Sequence, residues 1–186
     1  KAELDGHDKE NRVLKIELND TNRPDLWSPA GVARALSTYE SGEIPYYDFF
    51  STKDDEKDSE GRMVIDHESA IGIRDYSIGF ACRGVEVDDD LLANLIQSQE
   101  KLCFNFGRKR KTIAMGIYRS NLINYPVHYA AVDPDTTAFV PLGMDEKLSL
   151  REICQKHPKG KEYGYIVSSY DKFPYLYDDK GETLSF

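Results

Sequence analysis

The segment Asn19-Asp20-Thr21-Asn22-Arg23-Pro24-Asp25-Leu26-Trp27-Ser28-Pro29-Ala30-Gly31-Val32-Ala33-Arg34-Ala35-Leu36 most constrains what this chain can fold into. It follows an alternating run. Leu14, Ile16 and Leu18 share one face while Lys15 and Glu17 share the other, which predicts a half-buried strand over 13–18. A polar, proline-containing elbow then turns the chain, with Leu26 and Trp27 expected to anchor it on the core. Ser28 offers a hydroxyl cap, and Pro29 suits the first helical position, where its missing N–H is harmless. Val32, Ala33, Leu36 and Tyr39 recur at helical spacing, so a helix of about ten residues should follow.

Either side of this segment the pattern is plainer. Residues 1–12 are polar and expected to fray. Residues 40–50 are turn-rich and then aromatic (Tyr46, Tyr47, Phe49, Phe50). Residues 51–61 are charged without an apolar residue and predict a solvated linker. This divides the chain into 1–50, a linker 51–61, and a domain 62–186. Within that domain, 63–66, 71–85, 112–118, 127–132, 163–169 and 173–177 read as strands. Asp88-Asp89-Asp90 cap a longer helix marked by Leu91, Leu92, Leu95, Ile96, Leu102, Cys103 and Phe106. Gly107 suits its C-terminus. Ser149-Leu150-Arg151-Glu152 is a capping box opening a short helix to about Lys156. Asp179-Lys180-Gly181 predicts a turn into a hairpin strand at 183–185. The expected class is α+β: a mixed, mainly antiparallel sheet flanked by one long and two short helices.

A chain of 186 residues can bury roughly 70% of its unfolded surface without disulfide or metal staples. Cys82, Cys103 and Cys154 form no C-x-x-C pair and are expected as buried reduced thiols. His7, His67, His128 and His157 lack ligand spacing, and the three aspartates before a helix read as a cap, so no metal is expected. There is no run of 18 apolar residues and no signal-peptide pattern, which argues against membrane spanning and secretion and for a cytoplasmic location. No nucleophile elbow, H-E-x-x-H or phosphate loop is present. The net charge of −9 excludes a general polyanion binder. The run Arg108-Lys109-Arg110-Lys111 could still touch a phosphate backbone, or could complement the negative end of its own helix. Lys1 and the strand-like Leu184-Ser185-Phe186 suggest a piece of a longer polypeptide.

The opening segment from Ile16 to Leu36 resembles the β subunit of phenylalanyl-tRNA synthetase of the archaeal and eukaryotic type. Four further stretches agree in order. They are Leu95-Ile96-Gln97-Ser98-Gln99-Glu100-Lys101-Leu102 with the run from Gly107 to Tyr118, Phe139-Val140-Pro141-Leu142-Gly143, the run from His157 to Gly164, and the run from Phe173 to Ser185. The resemblance covers roughly 10–45 and 70–186.

The resemblance implies the end of the B1 region followed by the B3/B4 editing module, which hydrolyses tyrosine wrongly esterified to tRNA(Phe). An apolar pocket rejects an added hydroxyl by only ~10²-fold, so a second site that hydrogen-bonds the phenol is needed. Leu176 and Ser185 match its pocket-lining positions, and Ser185 would orient the substrate or a water. The resemblance also implies tRNA(Phe) and a synthetase α subunit as partners in a heterotetramer. No cofactor belongs to this stretch, ATP and Mg2+ serving the synthetic site of the other subunit. Relatives continue past the serine with an Asp-x-Thr segment that completes the pocket. Asp135-Thr136-Thr137 lies too early to take that role. The alternative reading is a non-catalytic tRNA-binding or subunit-interface scaffold.

Overall fold

The computed structural model describes residues 2–19, 22–47 and 62–186. The charged stretch 51–61, the aromatic pair Phe49 and Phe50, and Asp20-Thr21 of the elbow lie outside the described residues. The chain divides into two compact units, Lys1–Ser51 with Val87–Met115 and Thr52–Glu86 with Gly116–Phe186.

In the first unit, residues expected to fray form strand β1 (Ala2–Asp8), which pairs antiparallel with β2 (Val13–Leu18). In this two-stranded ribbon only Gly6 of β1 and Leu18 of β2 are half-buried; Leu14 and Ile16 stay exposed. The elbow is a 3-10 turn, Pro24–Leu26, clamped by two bonds from the Arg23 guanidinium to Asp25 at 2.9 and 2.7 Å. Ser28 caps helix α1 (Pro29–Ser41), its hydroxyl accepting from the Gly31 N–H at 3.1 Å. Gly42, left-handed at φ 72°, ends it. The inward stripe of α1 is Gly31, Val32, Ala35 and Thr38, whereas the expected Leu36 and Tyr39 face water. Gly31 sets that rotation: a Cβ there would overlap the Asp25 carbonyl, so the helix can lie directly on the elbow.

Helix α3 (Asp89–Lys101) is capped by Asp88, whose carboxylate accepts from the Leu91 N–H at 2.7 Å. Its half-buried stripe is Leu91, Leu95, Ser98 and Gln99. It runs into a π-helical turn over Leu102–Phe106, which buries Cys103.

The second unit is built on a four-stranded mixed sheet, in order β3 (Met63–Ile65), β4 (Val127–Val132), β7 (Phe173–Asp178), β8 (Thr183–Ser185). β3 runs parallel to β4; the other pairings are antiparallel. Beyond β3 the short helix α2 (His67–Ala70) extends the ladder, because the Ser69 hydroxyl accepts from the Ala131 N–H at 2.9 Å. Tyr129 donates to the Arg74 carbonyl at 2.8 Å, and burial raises its phenol pKa. A small ribbon, β5 (Ala138–Phe139) with β6 (Leu148–Ser149), precedes α4 (Leu150–Lys156) and α5 (Pro158–Tyr163). Leu148, Leu150, Ile153, Val167, Phe173 and Tyr175 form the core.

The α+β class holds, with differences in detail. Helices α1 and α3 are equally long at 13 residues, and three shorter helices accompany them among the described residues. Segment 163–169 is not a strand but the end of α5 and a 3-10 turn, Gly164–Ile166. Its inward positions are Tyr163, Gly164, Ile166, Val167 and Tyr170; the pairs 163/167, 163/166, 164/167 and 167/170 lie three or four apart, a helical period that the aromatic and β-branched composition obscures. Segments 71–85 and 112–118 alternate like strands yet pair with no described strand. Alternation orients side chains, but only a partner backbone makes a strand. Tyr76, Ile78 and Phe80 accordingly stand 88%, 94% and 91% exposed. Among the thiols, Cys103 is buried and Cys154 half-buried, where burial raises its pKa; Cys82 is exposed, against expectation.

Candidate functional site

Leu176 and Ser185 are directly opposite one another across the β7–β8 ladder. Both are half-buried. A nine-residue separation in sequence thus becomes one cross-strand pair at the sheet edge.

Two devices hold this pair. The first is Asp178 at the end of β7, 1% exposed. Its carboxylate accepts from the Asn124 side-chain amide at 2.6 Å and from the backbone N–H groups of Asn124, Lys180 and Glu182 at 3.0, 2.9 and 2.9 Å. The Asn124 side-chain bond leads in lowering its pKa to about 2, outweighing burial. One carboxylate therefore ties the loop before β4 to the turn between β7 and β8. Gly181 closes that turn in the left-handed region at φ 81°. The second device is Phe186. It stacks on Phe173 at 6.5 Å and meets Phe139 edge-on at 6.0 Å, so the residue after Ser185 is anchored in the core.

Beside the pair runs a row of aromatic side chains. Tyr175 stacks on Tyr177 (5.5 Å) and Tyr177 on His128 (5.1 Å), while His128 Nε2 lies 2.9 Å from Asp179 Oδ1. The Tyr175 and Thr183 hydroxyls hydrogen-bond across the ladder. Sequence patterning did not single out Asp178, His128, Tyr175 or Tyr177. Asp178 had one usable signal, an aspartate immediately before the Asp179-Lys180-Gly181 turn. The others needed the register of β4 on β7, which no local pattern contains. His157, which lacks ligand spacing in the sequence, caps α5: Nδ1 accepts from the Lys159 N–H at 3.2 Å, so Nε2 donates to the Leu142 carbonyl at 3.1 Å.

The basic run lies in the first unit, where the structure brings it together with other residues. Arg108, Lys109 and Arg110 are consecutive left-handed residues, at φ 49°, 57° and 68°. Their N–H groups return to the carbonyls of Asn105, Phe104 and Cys103, which closes the π turn. The Arg110 guanidinium reaches Glu100 at 2.5 Å, and the Lys109 ammonium sits 5.4 Å over the Phe104 ring. Each left-handed non-glycine residue costs roughly 1–2 kcal/mol. A cation at a helix C-terminus returns about 0.3–1 kcal/mol. Dipole complementarity alone does not offset that strain.

Next to this turn, Leu18, Trp27, Asn105, Phe106 and Arg108 line a cleft of about 560 Å³. Lys101 Nζ donates to the Trp27 carbonyl at 3.1 Å and so fixes the elbow to α3. Among the described residues no group of three or more His, Cys, Asp or Glu is placed to hold a metal ion, and no helix is long and apolar enough to cross a membrane.

No protein-family model matches the chain. Sequence relatives do. The phenylalanine–tRNA ligase beta subunit of Borreliella burgdorferi (strain ZS7) is 52% identical over all 186 residues, and that of Borrelia turicatae (strain 91E135) 47%. This chain is homologous to a segment of the phenylalanine–tRNA ligase beta subunit. It spans about a third of the length of those curated beta subunits, 32% and 33%. A crystal structure of an N-terminal fragment of the phenylalanyl-tRNA synthetase beta subunit from Pyrococcus horikoshii has the same fold. It matches with a TM-score of 0.84 and 36% identity, covering 100% of this chain and 52% of that fragment.

Proposed function

We propose that the chain is the B3/B4 editing portion of an archaeal- and eukaryotic-type phenylalanine–tRNA ligase beta subunit, preceded by the end of a B1-like region. The domain would span 62–186 in sequence, with 1–50 and the linker 51–61 before it; its stretch Val87–Met115 packs with the first unit. The substrate is tRNA(Phe) mischarged with tyrosine, and the reaction is hydrolysis of the aminoacyl ester. The synthetic chemistry, with ATP and Mg2+, belongs to the partner α subunit, and the setting is cytoplasmic translation. The observation that carries this reading is 52% identity to a beta-subunit segment along all 186 residues of this chain, combined with the pairing of Leu176 and Ser185 at one braced sheet edge. A correct phenylalanyl ester lacks the phenol, so a pocket with a polar partner for that group leaves it unpaired when phenylalanine enters, which inverts the selectivity of an apolar sieve. In this pocket Leu176 packs the side chain, and the Ser185 hydroxyl orients the ester or a water.

The test incubates the chain, and a version extended past Phe186, with Tyr-tRNA(Phe) and Phe-tRNA(Phe). Faster release of tyrosine, slowed roughly tenfold by Ser185→Ala, supports editing; that factor corresponds to about one hydrogen bond, 1.4 kcal/mol. If neither version hydrolyses the tyrosyl ester faster than the phenylalanyl ester, editing is excluded and the scaffold reading takes its place.

A further inference from the structure

We infer that the cleft beside the left-handed basic turn seats one unstacked RNA nucleotide, its base against Trp27 and Phe106 and its phosphate on Arg108. The inference rests on the reading that this chain engages tRNA, and it places that contact at a site separate from Leu176 and Ser185.

Three observations converge on it. The cleft has both chemistries that a nucleotide needs. Trp27, Phe106 and Leu18 give its lining apolar surface, while Asn105 and Arg108 give it polar groups. Its volume of about 560 Å³ suits a small ligand group rather than a protein segment. The turn also has a strained backbone that a glycine would adopt freely, yet it carries Arg108, Lys109 and Arg110. The N–H groups of those residues do the capping, so the side chains are what the strain retains. Finally, these cations are divided in their work. Arg110 is drawn to Glu100 and Lys109 to Phe104, and Arg108 is the one that lines the cleft. The exposed aromatic residues Phe104 and Phe106, at 57% and 60%, lie just before these cations in the chain and make a platform on which any base can stack. An acidic peptide would satisfy Arg108 but would leave the two rings without a planar partner.

Trp27 is the only tryptophan in the chain, so its fluorescence reports on this cleft alone. The experiment titrates the 186-residue chain with a short single-stranded RNA at about 50 mM salt, following Trp27 emission and the anisotropy of the labelled RNA together. The expected result is saturable quenching that coincides with binding. Arg108→Glu should weaken binding at least tenfold. Phe106→Ala should weaken it by roughly 5- to 100-fold, the range for loss of one stacked base. Lys172→Glu makes the same change in net charge in the other unit and should alter binding less than twofold. An abasic strand of equal charge should bind more weakly and leave the emission unchanged. Binding without quenching, with Arg108→Glu and Lys172→Glu alike, overturns this site while leaving tRNA engagement intact. Equal affinity for poly-glutamate of matched charge also overturns it. Absence of binding even to intact tRNA(Phe) removes both this site and the reading beneath it.

Discussion

At the scale of single residues, one buried polar network fixes the geometry near Leu176 and Ser185. Asp178 is the clearest case. Its carboxyl is held at about 2 by Asn124 and by the N–H groups of the turn. The folded value lies below that of an unfolded aspartate. The stabilisation is therefore complete above the ordinary carboxylate range and is lost as pH falls through about 2. Thermal melts between pH 5 and pH 2 should show the native chain losing stability in that window, and Asp178→Asn losing less of it. At pH 7 Asp178→Asn should be about 2 kcal/mol less stable, because its one carbonyl oxygen cannot serve four donors. The left-handed turn gives a prediction of opposite sign. Lys109→Gly removes a strained side chain at φ 57° and should stabilise the chain by about 1 kcal/mol in urea unfolding, despite losing its contact with Phe104.

At the scale of elements, the caps that depend on neighbours in sequence were legible. The Ser28-Pro29 start, the Asp88 cap and the Ser149–Glu152 capping box all appear as read, the last with bonds of 3.0 and 3.2 Å. Ser149→Ala should cost about 1 kcal/mol, measured by denaturant unfolding. What depended on a distant backbone was not legible. β1 is a polar strand that exists because β2 pairs with it. The alternating segments 71–85 and 112–118 show the converse, a strand pattern without a described partner. Close approach was equally hidden. Gly31 on the elbow and Gly160 of α5 against the Ile153 carbonyl of α4 are ordinary letters until the backbones meet. Gly31→Ala should therefore destabilise by about 3 kcal/mol, the upper range for overpacking, since the obstacle is backbone that cannot swing aside. A melt within error of the native chain would mean that α1 can shift off the elbow. The candidate pair Leu176 and Ser185 became legible only through resemblance; the hairpin that joins them was readable from Asp179-Lys180-Gly181.

At the scale of the whole molecule, charge decides how RNA can be held. The chain carries −9 overall, so long-range attraction to a polyanion is absent, and any RNA contact must be local. The left-handed turn offers about two cations to a backbone, Arg108 and one neighbour. Each phosphate neutralised on a single strand contributes about −0.7 to the slope of log affinity against log salt. The full chain should then bind single-stranded RNA with a slope near −1.5 between 50 and 200 mM salt, and Arg108→Glu should reduce that slope by about one phosphate. The shallow slope separates two physical pictures. A nucleotide held by stacking on Trp27 and Phe106 loses only about eightfold in affinity between 50 and 200 mM salt. A strand held by a broad basic surface loses far more, with a slope of about −4 or steeper for six or more phosphates. A slope in that steeper range would contradict both the small cleft and the net negative charge of the chain, and fluorescence or anisotropy titrations at four salt concentrations are enough to distinguish the two.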